Sequence, residues 1–164
     1  MNKINKLYSY SMQELAPIVC EFLQQGKRVI LRAKGNSMLP LIRNLKDRVV
    51  LSAISGENCS VGDAVMFRRD NGTYVLHRIV DRDHSGNFVL MGDGQTEREE
   101  GIRPDQIIAK MIGFYRKSRY FPCEAGCCKI YARFWTNSTL CRKVYLKLIW
   151  LYRTAKSKIK KLIG

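Results

Sequence analysis

The sequence predicts a mainly β protein: a small antiparallel β-barrel-like domain with an N-terminal helix and a basic, amphipathic C-terminal helical tail. Short β-like runs separated by turn signals follow one another at roughly even spacing between residues 28 and 116. A segment with helical periodicity precedes them, and most of the positive charge follows them. We therefore expect an N-terminal helix within 1–27, a β domain over 28–116 and a cysteine-containing helical tail over 117–164.

Residues 11–25 are predicted to form the N-terminal helix. Ser11 followed by Glu14 three residues later is the pattern of a capping box. Pro17 lacks a backbone N–H, so it either kinks this helix or moves the helix start to Ala16. The apolar residues that recur at helical spacing are Met12, Leu15, Ile18, Val19, Phe22 and Leu23.

Six segments of the middle region are predicted to be strands, and Asn71-Gly72 is a hairpin turn between two of them. Side chains alternate along a strand, so His77 is expected to share a face with Val75 and Ile79. The predicted strands are 28–33, 47–52, 63–69, 73–81, 87–92 and 107–115.

The formal charge of +15 is concentrated in the last third of the chain. Residues 1–113 contain 16 Lys/Arg and 13 Asp/Glu, whereas residues 114–164 contain 13 Lys/Arg and a single acid, Glu124. A basic segment of this kind favours an anionic partner, although a merely solvated charged face is the alternative.

Residues 139–163 are predicted to form an amphipathic helix, with Tyr145 and Trp150 at the boundary between polar and apolar phases. An anionic membrane surface is the partner that this pattern favours. Packing on the domain and binding to nucleic acid stay open, the latter because aromatic and cationic residues mix over 114–121. No apolar run reaches the about 18 residues of a membrane span. The apolar positions are Leu140, Val144, Leu148, Leu151, Tyr152, Ala155, Ile159, Leu162 and Ile163, and the cations are Arg142, Lys143, Lys147, Arg153, Lys156, Lys158, Lys160 and Lys161.

The cysteines do not form a recognisable metal motif, and we expect neither a metal nor a cofactor. Four of them, Cys123, Cys127, Cys128 and Cys141, match no paired CxxC spacing and have no histidine beside them. Lipidation and simple burial remain alternatives. No secretory leader is recognised at the start of the sequence, so reduced thiols and a cytoplasmic location, or a peripheral one at the cytoplasmic membrane, are expected.

The stretch 35–40, Gly-Asn-Ser-Met-Leu-Pro, lies between two predicted strands and presents a candidate nucleophile, Ser37. Glycine and asparagine tolerate positive φ, and proline fixes its own φ, so the chain turns sharply there. A hydroxyl needs a nearby base to become a nucleophile. The alternative is an ordinary turn serine, or an N-cap that opens a short helical turn over 38–42.

His77 is the candidate base, and Asp93, a carboxylate that ends a predicted strand, is a candidate to orient its imidazole. Its alternative role is that of a core or edge histidine with a satisfied ring, while His84 lies in a turn. Asp93 follows a predicted strand, and Glu99 belongs to an acidic loop over 97–100 that is otherwise expected to be a solvated charge run.

Four segments taken in order resemble the S24/S26 serine peptidase superfamily, which contains signal peptidase I and the self-cleaving repressors. They are 35–40 (Gly-Asn-Ser-Met-Leu-Pro), 61–67 (Val-Gly-Asp-Ala-Val-Met-Phe), 75–80 (Val-Leu-His-Arg-Ile-Val) and 90–94 (Leu-Met-Gly-Asp-Gly). The resemblance covers about residues 28–115 and implies the fold of that superfamily.

The resemblance also implies roles for the candidate residues. Ser37 matches the nucleophile of the Ser-Met-x-Pro box, and His77 matches the general base of the histidine-containing branch. That branch has an aspartate about six residues after its Gly-Asp box, where this chain has Glu99, so Asp93 and Glu99 both remain candidates. The oxyanion hole would use the backbone N–H of Ser37 and a second donor near Asn36 or Gly35.

The function expected from these observations is that of a serine endopeptidase of signal-peptidase-like type, which cleaves a leader or signal-like peptide at the membrane surface. The transmembrane anchor usual in signal peptidase I and the DNA-binding domain of the repressors are not recognised in the sequence. Two alternatives remain: an inactive binding module for an acidic partner, membrane or nucleic acid, and a self-processing peptidase of repressor type.

Overall fold

The computed structural model describes residues 11–163, except for the side chains of Thr139, Cys141, Trp150, Arg153 and residues 156–163. The expectations for Cys141, for Trp150 and for the cations after residue 152 therefore lie outside the described side chains. The elements are α1 (Met12–Gln24), β1 (Val29–Arg32), β2 (Asp47–Ala53), β3 (Ala64–Arg68), β4 (Tyr74–Arg82), β5 (Phe88–Met91), β6 (Glu99–Ile102), β7 (Ile107–Arg116), β8 (Arg119–Pro122), α2 (Gly126–Asn137) and α3 (Thr139–Ile163). The predicted mainly antiparallel β architecture with helices at both ends is confirmed.

The strands form one antiparallel sheet in the order β1-β2-β7-β3-β4-β5-β6. The long strand β7 organises the sheet, because β2 pairs along one of its edges while β3 and β8 pair with successive parts of the other. β1 and β6 lie at the two ends of this order. Each therefore pairs with a single neighbouring strand of the described chain.

The N-terminal helix begins where its cap predicts. The backbone N–H of Glu14 donates to the Ser11 hydroxyl over 3.3 Å, and the Ser11 N–H donates to the Glu14 carboxylate over 2.6 Å. The helix starts at Met12, so Pro17 is accommodated inside it and the start is not displaced to Ala16. Its inner face packs on the sheet through three buried residues, Ala16, Val19 and Leu23.

Two large apolar clusters, with a small third one of Val80, Val89 and Met91, form the core of the domain. The larger one joins α1 to β1, β2 and β7, and it includes Met38 from the Ser37 turn. The second lies around Phe67, Ile79 and Leu90 on β3, β4 and β5. The Ser37 turn is thus anchored in the larger cluster, while the strands that carry the candidate base also build the second.

The six predicted strands are confirmed within one residue at each end. Two further strands, β6 and β8, and the helix α2 were not predicted. β6 contains two glutamates and a glycine, so its sequence has no alternation of apolar residues and is typical of a solvated loop. In the structure it nevertheless pairs with β5. β8 is only four residues long, Arg119–Pro122.

The tail contains two helices, of which only α3 was predicted. α2 packs against the β domain through Trp135, which is buried. None of the helices in the described part of the chain is long and apolar enough to cross a membrane.

Candidate active site

Ser37 lies in a tight turn between β1 and β2. Gly35 takes a φ of 105°, a conformation that side-chain-bearing residues rarely adopt. The Leu39 N–H donates to the carbonyl of Asn36 over 3.2 Å, and the next peptide bond, Leu39–Pro40, is cis. Met38 is 5% exposed, so it fixes the turn to the core while the neighbouring Ser37 stays half-buried.

The end of β5 approaches Ser37 closely, and this approach requires glycine at position 92. A Cβ atom at Gly92 would lie 3.0 Å from the Cβ of Ser37 and 2.6 Å from its carbonyl oxygen. Two residues further on, the Gly94 N–H donates to that carbonyl oxygen over 2.6 Å. The Ser37 turn and the chain after β5 are therefore packed directly together.

The strand register then brings His77 to the same place. On β4, Arg78 pairs with Met91 of β5. His77 directly precedes Arg78 on β4, and Gly92 directly follows Met91 at the end of β5. The last pair of the ladder therefore joins the neighbour of His77 to the neighbour of Gly92, the glycine that lies against Ser37.

The structure places Glu99 beside His77. One carboxylate oxygen of Glu99 lies 2.8 Å from His77 Nδ1, although it sits off the direction of a well-aligned N–H bond. Arg69 holds the same carboxylate with two charge-assisted hydrogen bonds, from Nε over 2.6 Å and from Nη2 over 2.7 Å. The His77 ring is 2% exposed and packs against Phe67.

These surroundings act on the pKa of His77 in opposite directions. Burial lowers the pKa of His77 below its usual value, the negative charge of Glu99 raises it, and the positive charge of Arg69 lowers it again; the net shift is downward. Burial alone would raise the pKa of Glu99, but hydrogen bonding to Arg69 and the charge of His77 lower it overall. Near pH 7 this arrangement favours a neutral imidazole beside an ionised carboxylate.

Asp93 contacts a different partner, Arg78. Its two carboxylate oxygens accept hydrogen bonds from Arg78 Nε and Nη2 over 2.8 and 2.7 Å, and Tyr131 donates to one of them over 3.1 Å. The Asp93 backbone carbonyl accepts from the indole N–H of Trp135 over 2.7 Å. Of the two acids considered from the sequence, Glu99 is thus the one whose carboxylate meets the His77 ring, and Asp93 ties α2 to the loop that contacts Ser37.

One of the expected oxyanion donors is already used. The Gly35 N–H donates to the side-chain oxygen of Asn44 over 3.0 Å. The Ser37 N–H makes no hydrogen bond with another described residue, so it remains available to a developing oxyanion.

A cleft of about 610 Å³ opens beside Ser37 and is lined mainly by apolar side chains. One wall comes from β1 and the residues after it, and another from the first half of β4, residues 74–76. β1 lies at the end of the sheet, and β5 pairs with β4 only from Arg78 onward. Both walls therefore offer strand edges to an extended chain.

No cysteine is among the described residues that line this cleft. Burial raises the pKa of the Cys123 thiol to about 12, so that thiol is not reactive near neutral pH. In the part of the chain that the structure describes, no cluster of three or more His, Cys, Asp or Glu side chains is arranged to hold a metal ion.

The site includes four residues for which the sequence predicts no role: Arg69, Arg78, Tyr131 and Trp135. The role of Arg78 could have been predicted from the sequence. Arg78 directly follows His77 in a strand, so its side chain lies on the opposite face, and a cation buried there requires a paired acid. Arg69 and Tyr131 act on acids 30 and 38 residues away in the sequence, so no local pattern relates them to those acids.

In comparisons with known proteins, no protein-family model, no curated protein and no solved structure matches the chain.

Proposed function

We propose that this protein is a serine endopeptidase in which Ser37 is the nucleophile, His77 the general base and Glu99 the group that orients His77. The observation that carries the proposal is the Glu99 carboxylate oxygen that lies 2.8 Å from His77 Nδ1. His77 directly precedes Arg78, which pairs with Met91, and the residue after Met91, Gly92, lies against Ser37. A carboxylate at Nδ1 favours the proton on that nitrogen and leaves Nε2 as the basic nitrogen.

The reaction would follow the general course of serine acyl transfer. His77 Nε2 takes the proton of the Ser37 hydroxyl while Oγ forms a bond to the carbonyl carbon of the substrate. The C–N bond then breaks, and His77 returns the proton to the leaving amine. Water activated by the same imidazole hydrolyses the acyl-enzyme. The lowered pKa of His77 keeps the base in its neutral form near pH 7.

The cleft beside Ser37 favours a peptide in extended conformation. Unpaired strand edges recognise such a peptide by adding it as a further strand, and apolar pockets between them select alternate side chains. The lining contains Leu31, Met38 and Leu76, so an apolar leader or signal-like segment suits it best. This substrate class, the histidine-containing branch and the S24/S26 superfamily fold are all parts of the proposal.

The test is covalent labelling of the full chain with a serine-reactive phosphonate, over a range of pH. We expect wild type to label with a rate that rises with pH through an inflection below about 6.5, the ordinary histidine value. Ser37→Ala should abolish labelling, and His77→Ala should slow it about a hundredfold or more.

Matched controls come from the second histidine and its neighbour. Both lie exposed in the turn after β4, so His84→Ala and Ser85→Ala should label like wild type. Circular dichroism of each variant checks that the fold is retained. Equal labelling of wild type and Ser37→Ala, or none of the folded wild type, would reject the peptidase and favour a binding module.

A further inference from the structure

The helix α3 presents a stripe of apolar side chains to solvent. Five residues contribute to it and each is strongly exposed: Leu140 (75%), Val144 (51%), Leu148 (60%), Leu151 (48%) and Tyr152 (67%). Their spacing of three or four residues places them along one side of the helix. Isolated exposed apolar residues are ordinary, but a continuous row of this length indicates a binding surface.

The opposite side of α3 is already occupied, so the stripe faces away from the domain. Arg142 is 1% exposed and donates from Nη2 to the backbone carbonyl of Trp135 over 2.8 Å. At one edge of the stripe, Tyr145 packs edge-on against the Trp135 ring, with centroids 5.3 Å apart. These contacts fix the rotation of α3 about its own axis.

The charge of the segment restricts the partner. Residues 125–163 contain ten Lys/Arg and no acid, and Lys143 and Lys147 are exposed on the same helix as the stripe. A second copy of the chain would bring two strongly basic segments together, which is unfavourable. A nucleic acid would match the charge but would leave the apolar stripe in water. A bilayer with anionic headgroups matches both the charge and the stripe.

We propose that the outer face of α3 docks on an anionic membrane surface, with its apolar stripe at the level of the acyl chains and its lysines among the headgroups. The inference is independent of the chemistry of Ser37. Its consequence for the candidate site is positional, because Trp135 and Tyr131 of α2 bond to Asp93, next to the glycine that contacts Ser37. Docking would thus act on a pair of helices that is bonded to the loop in contact with Ser37.

The experiment is vesicle co-sedimentation of the full chain with neutral phosphatidylcholine vesicles and with vesicles containing phosphatidylglycerol. We expect binding to the anionic vesicles only, and weaker binding as the salt concentration rises. Lys143→Gln/Lys147→Gln should weaken binding about 25-fold, since each lysine near an anionic surface contributes about fivefold. Val144→Gln/Leu148→Gln should weaken it about tenfold or more.

Matched variants distinguish the face from general effects. Lys46 and Val61 are comparably exposed but belong to turns of the β domain, so Lys46→Gln and Val61→Gln should bind like wild type. The peptidase variant Ser37→Ala should also bind normally, which separates this proposal from the proposed function.

Several results would overturn the inference. One is unchanged binding by Val144→Gln/Leu148→Gln, which would mean that charge alone acts. Another is tight binding to duplex DNA with none to anionic vesicles. A third is a wild-type dimer in sedimentation that Leu148→Gln converts to a monomer, which would assign the stripe to a second copy.

Discussion

The two faces of β4 carry two acid–arginine pairs that are similar in chemistry and different in setting. On one face, Asp93 and Arg78 are almost completely buried, with side chains 0% and 4% exposed. On the other, Glu99 and Arg69 are 23% and 37% exposed, and the Glu99 carboxylate also meets the His77 ring. A paired buried carboxylate is fixed, whereas a half-exposed one shared between a cation and an imidazole can respond to the charge of that imidazole. The comparison indicates that the first pair stabilises the structure and the second shifts the pKa of His77.

The largest expected effect comes from breaking the buried pair. Arg78→Met would leave the Asp93 carboxylate buried without its cation, and we expect the free energy of unfolding to fall by about 3–5 kcal/mol. Urea unfolding followed by far-UV circular dichroism measures the loss.

The double variant Arg78→Met/Asp93→Asn is the control for that loss. It removes both charges, so it should recover part of the stability. A loss below about 1 kcal/mol in Arg78→Met would show that this pair behaves like a surface ion pair and would remove the contrast between the two faces.

The next effect is on turnover and concerns Glu99. Glu99→Gln keeps the shape of the side chain but removes the charge beside His77 Nδ1. We expect the reaction with a serine-reactive phosphonate to slow about a hundredfold or more, because the imidazole is no longer held in the required tautomer.

The pH profile separates this role from a merely structural one. The Glu99 charge raises the pKa of His77, so its removal should move the inflection to lower pH. Glu99→Asp, which retains the charge, should recover part of the rate. An unchanged rate and inflection in Glu99→Gln would exclude Glu99 as the orienting group.

Much of the fold could be predicted from the sequence because its signals are local. The residues of the capping box, Ser11 and Glu14, are close in the sequence, as are those of the Asn71-Gly72 turn. Alternation along β4 predicts that His77 shares a face with Val75 and Ile79, and the His77 ring does pack against Phe67 of their cluster. Such features depend on the backbone preferences and the apolar pattern of residues that are close in the sequence, so they can be predicted from it.

The site was only partly predictable because its partners are distant in the sequence. The choice between Asp93 and Glu99 depends on β6, an edge strand whose charged residues give no periodic signal. The helix α2 could have been predicted, because Tyr131 and Trp135 are apolar residues at the spacing of an amphipathic helix. Their bonds to Asp93, in contrast, follow from tertiary packing alone.

The smallest effect expected in this comparison is that of Arg69, and it differs in sign from that of Glu99. Arg69 is 37% exposed, so Arg69→Met should change the free energy of unfolding by no more than about 1 kcal/mol, in contrast to Arg78→Met. Its positive charge lowers the pKa of His77, so its removal should move the inflection of the labelling rate to higher pH. The rate at high pH should fall less than in Glu99→Gln, because the carboxylate remains but is less firmly held.

Labelling rates of Arg69→Met, Arg69→Lys and wild type between pH 5 and 9 measure both effects, and Arg69→Lys should return the inflection toward the wild-type value. An inflection that moves to lower pH in Arg69→Met would mean that the freed Glu99 has left the ring, and that Arg69 acts by positioning this carboxylate more than by its own charge.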